Sequence, residues 1–219
     1  MNSSLVALGS PLLSKDFANR VELGYADAKL ESSGEQEESM KQVAAAYNNP
    51  KTELLSGAAA TEERSKSEST RAGILHFATT VLLDDTTPMS SFVALAPGTN
   101  RQDEGFLQAR EILNSKSAAQ LVVMPSVQQR GGFTGAASLG IAWSWFAAGS
   151  PTVLLGRWEV KSPAFNQFLT SFYTRIKPVR RVQPSSATAL RESILALRKS
   201  DEYQHPYYWA GFTLIGDAR

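Results

Sequence analysis

The sequence contains no cysteine, and its only histidines are His76 and His205. The absence of cysteine excludes disulfide bonds, cysteine-ligated zinc and a thiol nucleophile. Two histidines are too few to build a metal site from several imidazoles. The composition therefore predicts a protein without a bound metal, and no motif indicates a cofactor.

Excess charge and long apolar runs are also lacking. The 22 Lys and Arg residues nearly balance the 21 Asp and Glu residues, and the longest basic block is Arg180-Arg181. This balance predicts no nucleic-acid partner. No run of about 18 apolar residues occurs, and the amino terminus lacks the positive region of a secretion signal. We therefore expect a soluble, cytoplasmic protein with no membrane contact, and we expect residues 1–219 to form a single domain.

The most informative stretch runs from Leu121 to Trp158. Apolar runs at 121–124 and 152–155 predict two strands, and the apolar segment 138–148 between them predicts a helix buried on every side and capped by Gly149. This βαβ unit indicates a parallel sheet, in which functional groups lie at the carboxyl ends of the strands. The loop 125–132 occupies that place, and Val127 lies in it.

The rest of the chain alternates strand-like and helical patterns. Strands are predicted at 5–8, 52–55, 73–80, 91–95 and 208–216, and helices at 35–47, 61–69, from Pro163 to Lys177 and from Ser185 or Ser186 onward. The segment 62–69 has no apolar face, so we expect it to be frayed or displayed at the surface. This order predicts an α/β sandwich with a mainly parallel sheet.

Several spaced motifs resemble one known family. The matching segments are 55–61, 75–79, 121–127, 148–153, 155–160, 172–173 and, most specifically, 205–212, which reads His-Pro-Tyr-Tyr-Trp-Ala-Gly-Phe. They resemble the CHAT domain, a caspase-like member of the clan CD cysteine peptidases that is often found with TPR repeats in bacteria. The resemblance covers nearly the whole chain and implies a three-layer αβα sandwich.

The resemblance also implies where the catalytic residues of the family would lie. In the family, the motif His-x-x-x-His-Gly supplies a general base as its second histidine, and a Ser-Ala-Cys turn supplies the nucleophile. His76 matches the first histidine, but Thr80, Val81 and Val127 stand in place of the base, the glycine and the nucleophile. Valine has no lone pair to attack a carbonyl, and threonine is not a useful base. Loss of either member costs about 10⁴- to 10⁶-fold in rate.

A cleft without this dyad is nevertheless expected. Its candidate residues are His76, Thr79, Thr80, Val81, Ser126, Val127, Gln128, Trp158 and Glu159. Acidic residues that commonly follow the Leu-Trp-x-Val stretch of the family are replaced by Lys161 and Ser162. Further expectations concern single residues. We expect His76 to be packed with a backbone partner, Trp143 and Trp145 to lie in the core, and Asp84 and Asp85 to be solvated on a loop.

Three functions remain open on the sequence alone. The first is a pseudoprotease that binds a protein or peptide uncut, with a TPR protein or an active CHAT protease as the candidate partner. The second is a hydrolase with a relocated nucleophile, which requires His76 to reach Ser126 or Thr79. The third is a scaffold or relic domain that self-associates.

Overall fold

The computed structural model describes residues 3–13, 19, 30, 34–99, 103–132, 134–160, 162–178 and 184–217. Lys161 lies outside these ranges. The strands are Leu5–Pro11 (β1), Thr52–Gly57 (β2), Ile74–Ala78 (β3), Val81–Asp84 (β4), Phe92–Ala94 (β5), Phe106–Gln108 (β6), Leu121–Met124 (β7), Val127–Arg130 (β8), Thr152–Gly156 (β9) and Phe212–Gly216 (β10). The helices are Gly34–Tyr47 (α1), Glu62–Ser69 (α2), Ala109–Leu113 (α3), Ala136–Ala148 (α4), Pro163–Ile176 (α5) and Ser186–Arg198 (α6), with 3₁₀ turns at Pro88–Ser90 and Pro206–Tyr208.

A six-stranded sheet forms the centre of the fold. Its strand order is β10-β9-β7-β3-β1-β2, and every neighbouring pair is parallel except β10 with β9. Strand β3 lies directly beside β7, with His76 opposite Val123. The prediction of a mainly parallel α/β sheet is confirmed.

Side chains on the central strands alternate between two helical layers, as the period of a strand requires. Leu75 and Phe77 pack on one side with α3 and α4, whereas Ile74 and Val123 pack on the other side with α1, α5 and α6. The sheet is therefore buried on both faces, which explains why its strands are almost continuously apolar.

A smaller sheet continues from the ends of the central strands. Its order is β6-β5-β4-β8, and β4 and β8 pair in parallel with Val81 opposite Val127. The prediction of a loop at 125–132 is therefore wrong over Val127–Arg130, which forms β8. The reason is that Val81 and Val127 are both buried in the large core, and pairing satisfies backbone groups that burial would leave without partners.

Helices α5 and α4 differ in how well they agree with their predictions. In α5, Ser162 caps the first turn by accepting from the Ala164 N–H. The helix buries an apolar stripe made of Phe168, Leu169, Phe172, Tyr173 and Ile176, with Phe165 partly buried beside it. In α4, the predicted Gly149 cap is present with φ of 116°. The expectation that α4 is buried on every side is wrong, because Leu139 is 62% and Trp143 is 65% exposed. A helix laid on one face of a sheet keeps an outer side, whatever residues occupy it.

Helix α2 also departs from its prediction. It is neither frayed nor merely displayed, since Glu62 and Glu68 are almost fully buried. Arg64 and Arg71 both pair with Glu68, and both also reach Glu53 on β2. Burial of carboxylates is tolerated when they are paired and hydrogen-bonded, so ion pairs replace the missing apolar face.

Candidate functional site

A cleft of about 1370 Å³ lies at the carboxyl ends of β3 and β7, between α1 and α5. Among the described residues, its lining includes five of the nine predicted cleft residues: His76, Thr80, Ser126, Gln128 and Glu159. Thr79, Val81, Val127 and Trp158 are not part of the lining. The strand ends therefore do frame a cleft, at the place where a parallel sheet positions functional groups.

The pairing of β4 with β8 explains which residues face the cleft. The Val81 N–H donates to the Ser126 carbonyl at 2.9 Å, which fixes the register at this point. Val81 and Val127 both point into the large core, whereas Thr80 and Ser126, one residue earlier on each segment, line the cleft. Thr79 is buried on the other side, where its hydroxyl donates to the Ala94 carbonyl at 2.8 Å.

His76 is fully buried beneath this cleft. Its Nδ1 lies 2.9 Å from the Tyr173 hydroxyl, and the two rings meet edge to face at a centroid distance of 5.5 Å. The expected backbone partner is wrong, because a side chain from α5 reaches β3 instead. Burial lowers the pKa of His76 to about 3, so the imidazole is neutral at ordinary pH.

The relocated-nucleophile arrangement needs a hydrogen bond that His76 does not make. Within the described ranges, its Nε2 has no hydrogen-bond partner, and Nδ1 is engaged by Tyr173. Neither Ser126 nor Thr79 is therefore bonded to the imidazole. His205, the second histidine, accepts from the Tyr207 N–H at 3.2 Å within the 3₁₀ turn Pro206–Tyr208. His205 is therefore a turn residue.

Trp158 supports one wall of the cleft rather than lining it. Its indole N–H donates to the Tyr207 carbonyl at 3.0 Å, and Gly211 packs against the same ring so closely that a Cβ would come within 3.0 Å of it. The Tyr207 hydroxyl donates to the Glu159 carbonyl at 3.1 Å. The aromatic turn at 205–211 therefore holds the Glu159 wall in place. The sequence offered this turn only as a family motif and gave it no role.

Asp84 and Asp85 are structural rather than solvated, which corrects the expectation for this pair. Asp84 is buried and accepts from the N–H groups of Thr86 and Thr87 and from the Thr87 hydroxyl, with Arg130 at 3.4 Å. Burial alone would raise the pKa of Asp84, but the hydrogen bonds and Arg130 lower it overall. Asp85 accepts from N–H groups at the start of α4, chiefly Ala137 at 2.8 Å, and this bond lowers its pKa. In the described part of the chain, no group of three acidic or histidine side chains could hold a metal ion.

The helices supply most of the cleft surface, and sequence reasoning missed this contribution. The polar sides of α1 and α5 face each other across the cleft, with Glu35, Glu38, Gln42, Gln167, Thr170, Thr174 and Arg175 among the lining residues. The signal was present, because each helix carries a polar stripe opposite its apolar stripe. Such stripes usually face solvent, so nothing in the sequence distinguished these two.

The comparison with protein families decides the classification. The model of the CHAT domain matches residues 5–217. This chain belongs to the CHAT domain family. No helix in the described ranges is long and apolar enough to cross a membrane.

This CHAT domain is similar in sequence to part of two tetratricopeptide repeat (TPR) proteins. It is 32% identical to tetratricopeptide repeat protein 28 of Mus musculus and 30% identical to that of Homo sapiens, over 114 residues in each case. These matches cover 52% of this chain but only 4% of each relative. The predicted association of the family with TPR repeats is confirmed in these two proteins.

The fold is also that of a solved caspase-like protein. The structure of the Saccharomyces cerevisiae separase–securin complex contains a chain that matches with a TM-score of 0.51 and 13% identity, covering 99% of the CHAT domain and 12% of that chain. An identity this low supports the fold alone. The predicted caspase-like αβα sandwich is confirmed.

Proposed function

We propose that this CHAT domain is a catalytically inactive caspase-like module that binds an extended peptide or protein segment in its cleft without cutting it. The observation that carries the proposal is a large cleft at the strand ends whose floor presents Thr80 and Ser126 in place of an activated nucleophile and a base. A pocket of this size with convergent polar groups is the usual form of a binding site.

The chemistry of the cleft supports binding rather than cleavage. The chain contains no cysteine, His205 is committed to its turn, and the neutral His76 is engaged by Tyr173. A serine hydroxyl is a weak nucleophile unless an adjacent base removes its proton, and Ser126 has no hydrogen bond to either histidine. The amide, hydroxyl and carboxylate groups of α1 and α5 are instead suited to hydrogen bonding with an extended chain.

The relatives support a protein as the ligand. Two matched relatives are tetratricopeptide repeat proteins, so we infer that the partner is a TPR protein. An active CHAT protease is the second candidate partner, and only the family resemblance suggests it. The interaction is expected to take place in the cytoplasm, the location that the sequence predicts.

The test is a peptide library scored for binding by fluorescence anisotropy and for cleavage by mass spectrometry. The natural chain is expected to bind a subset of peptides and to leave them intact. Cleavage by the natural chain would show that it is a hydrolase and would contradict the proposal. Failure of every peptide to bind would also contradict it, and sedimentation velocity would then test whether the chain self-associates.

Two engineered chains serve as matched controls for the floor of the cleft. Both carry Thr80→His and Val81→Gly, and the nucleophile is introduced as Val127→Cys in one and Ser126→Cys in the other. Because the chain has no other cysteine, iodoacetamide reports the accessibility of each new thiol directly. Ser126→Cys is expected to react at least about tenfold faster than Val127→Cys, since Val127 is 1% exposed and points into the core. Equal rates would contradict the described orientation of the two residues.

A further inference from the structure

Two buried side chains of the cleft lining, Ser39 and His76, have a polar atom without a hydrogen-bond partner in the described part of the chain. His76 is the more deeply buried of the two, so a ligand side chain reaches its Nε2 only by inserting into the floor of the cleft. Buried polar groups in folded proteins nearly always have a partner, and exceptions commonly mark a functional position. Ala78, the described lining residue nearest to His76 along the chain, offers no side-chain donor or acceptor.

The contact with Tyr173 determines which ring nitrogen of His76 carries the proton. Among described residues, the Tyr173 hydroxyl has a single hydrogen-bond partner, His76 Nδ1 at 2.9 Å. If the Tyr173 hydroxyl donates to Nδ1, only the N–H at Nε2 lacks a partner, whereas donation from Nδ1 to Tyr173 would leave both the phenolic proton and the Nε2 lone pair unpaired. Burial also raises the pKa of Tyr173, so the hydroxyl keeps the proton that it donates. Nδ1 is then the acceptor. A neutral imidazole carries one N–H, so that N–H lies at Nε2.

The charged residues of the cleft lining determine whether a charged or a neutral acceptor would bond to this N–H. Glu35, Glu38 and Glu159 line the cleft. Arg175, the one cationic side chain among the described lining residues, already contacts Glu192, with Nε 3.2 Å from the carboxylate. An anionic group entering the cleft would meet net negative charge. A neutral oxygen acceptor would not, and it would not carry a charge into the apolar floor.

We propose that the Nε2–H of His76 is a specificity-determining donor that selects an uncharged oxygen acceptor, a carboxamide or hydroxyl side chain, at one position of the bound peptide. The inference rests on the proposed peptide-binding function and names the side chain that the floor prefers. Tyr173 is a positioning residue in this arrangement, because it acts through the tautomer of His76 and not on the ligand.

The first measurement tests the tautomer without any ligand. In ¹⁵N-labelled protein, the chemical shifts of the two ring nitrogens distinguish the protonated from the unprotonated one. Nε2 is expected to carry the proton at pH 7.5 in the natural chain, and Tyr173→Phe is expected to allow the Nδ1–H tautomer to appear. A proton found on Nδ1 in the natural chain overturns the inference, whatever the peptides do.

The second measurement uses a positional-scanning library of blocked, fluorescein-labelled octapeptides, read by anisotropy at pH 7.5. The natural chain is expected to prefer Gln or Asn over both Glu and Leu by about tenfold at one position, because Leu lacks a hydrogen-bond acceptor and Glu brings a negative charge into an acidic cleft. The preference is expected to fall below about twofold in His76→Phe. Tyr173→Phe, which keeps the imidazole, is expected to weaken the preference while peptides still bind.

The outcomes separate the two proposals. Peptides that bind without any preference for a neutral acceptor, or with a preference for Glu, overturn the role of His76 and leave the binding function standing. An unchanged preference in Tyr173→Phe overturns the tautomer argument. Failure of all peptides to bind overturns the proposed function and the ligand class with it. Because His76→Phe fills a buried position, circular dichroism must first show that it folds, and Tyr173→Phe provides an independent test if it does not.

Discussion

The buried neutral His76 makes a strong prediction about acid stability. Its pKa is about 3 in the folded protein, whereas an imidazole in an unfolded chain titrates near its model value of 6.5. Below the pKa of the unfolded chain, His76 therefore binds a proton in the unfolded chain but not in the folded protein. The stability associated with His76 is complete above pH 6.5 and is lost as the pH falls toward 3.

The size of the effect follows from the two pKa values. Relative to pH 7.5, the free energy of unfolding is expected to fall by about 1 kcal/mol at pH 5.5 and by about 3 kcal/mol at pH 4.5 from this residue alone. The full gap between the two values corresponds to about 5 kcal/mol, a large part of the stability of an ordinary domain. Full burial of the ring means that solvent screening does not reduce the figure appreciably.

The assay is urea unfolding followed by tryptophan fluorescence between pH 7.5 and pH 4.5. The control is His76→Gln, which does not titrate and keeps a side chain able to bond Tyr173. Asp84 and Asp85 also have lowered pKa values and lose stability in acid, but they do so equally in both proteins. The difference between the two proteins therefore isolates His76. Parallel curves, agreeing within about 0.5 kcal/mol throughout, would refute the assignment of a neutral, desolvated histidine.

Two further predictions concern stability, and thermal unfolding measures both. Arg71→Met removes one partner of the buried carboxylate of Glu68 and should lower the midpoint of thermal unfolding. Lys41→Met removes an exposed helix pair and should lower the midpoint much less; equal shifts would contradict the role of the α2 ion pairs. Gly149→Ala should cost about 2 kcal/mol or more, because φ is 116° and the new Cβ would come within 2.6 Å of the Ser117 carbonyl oxygen; a neutral result would contradict the cap geometry.

Patterns that depend only on neighbours along the chain predicted the fold well. The strands of the central sheet are short and apolar, and the apolar stripe on α5 repeats with the period of a helix. Both patterns predict from the local sequence alone which residues are buried. Helix α2 could not be predicted in this way. Its burial depends on Arg71 and Glu53, which are 18 residues apart and meet only after β2 and α2 have packed.

The prediction that helix α4 is buried on every side was wrong for a different reason. Its composition is so apolar that no stripe distinguishes an inner from an outer side, and sequence alone cannot identify the side that carries Leu139 and Trp143. The neighbouring Trp145 was correctly predicted as core and is 1% exposed. Position relative to the sheet, which no local pattern contains, separates these two tryptophans.

The candidate site shows where motif spacing stops being informative. The family resemblance implies that Thr80 and Val127 stand where a base and a nucleophile are expected, and the pairing of β4 with β8 brings these segments side by side. Spacing does not give the direction of a side chain, which depends on the register of a sheet. In this register, Thr80 faces the cleft with Ser126, while Val127 faces the core with Val81.

The side-chain directions of residues 80 and 127 determine whether a histidine and a cysteine introduced there could form a dyad. A cysteine at position 127 would inherit a buried environment, where desolvation raises the pKa of a thiol and keeps it in the unreactive neutral form. A histidine at position 80 would face the cleft, one residue out of phase with that thiol. Replacing two side chains therefore restores the residue types of a dyad without its arrangement, because β8 must also release Val127 from the core. The paired strands β4 and β8 oppose that release, so the backbone as well as the side chains would stand against assembly of a dyad at these two positions.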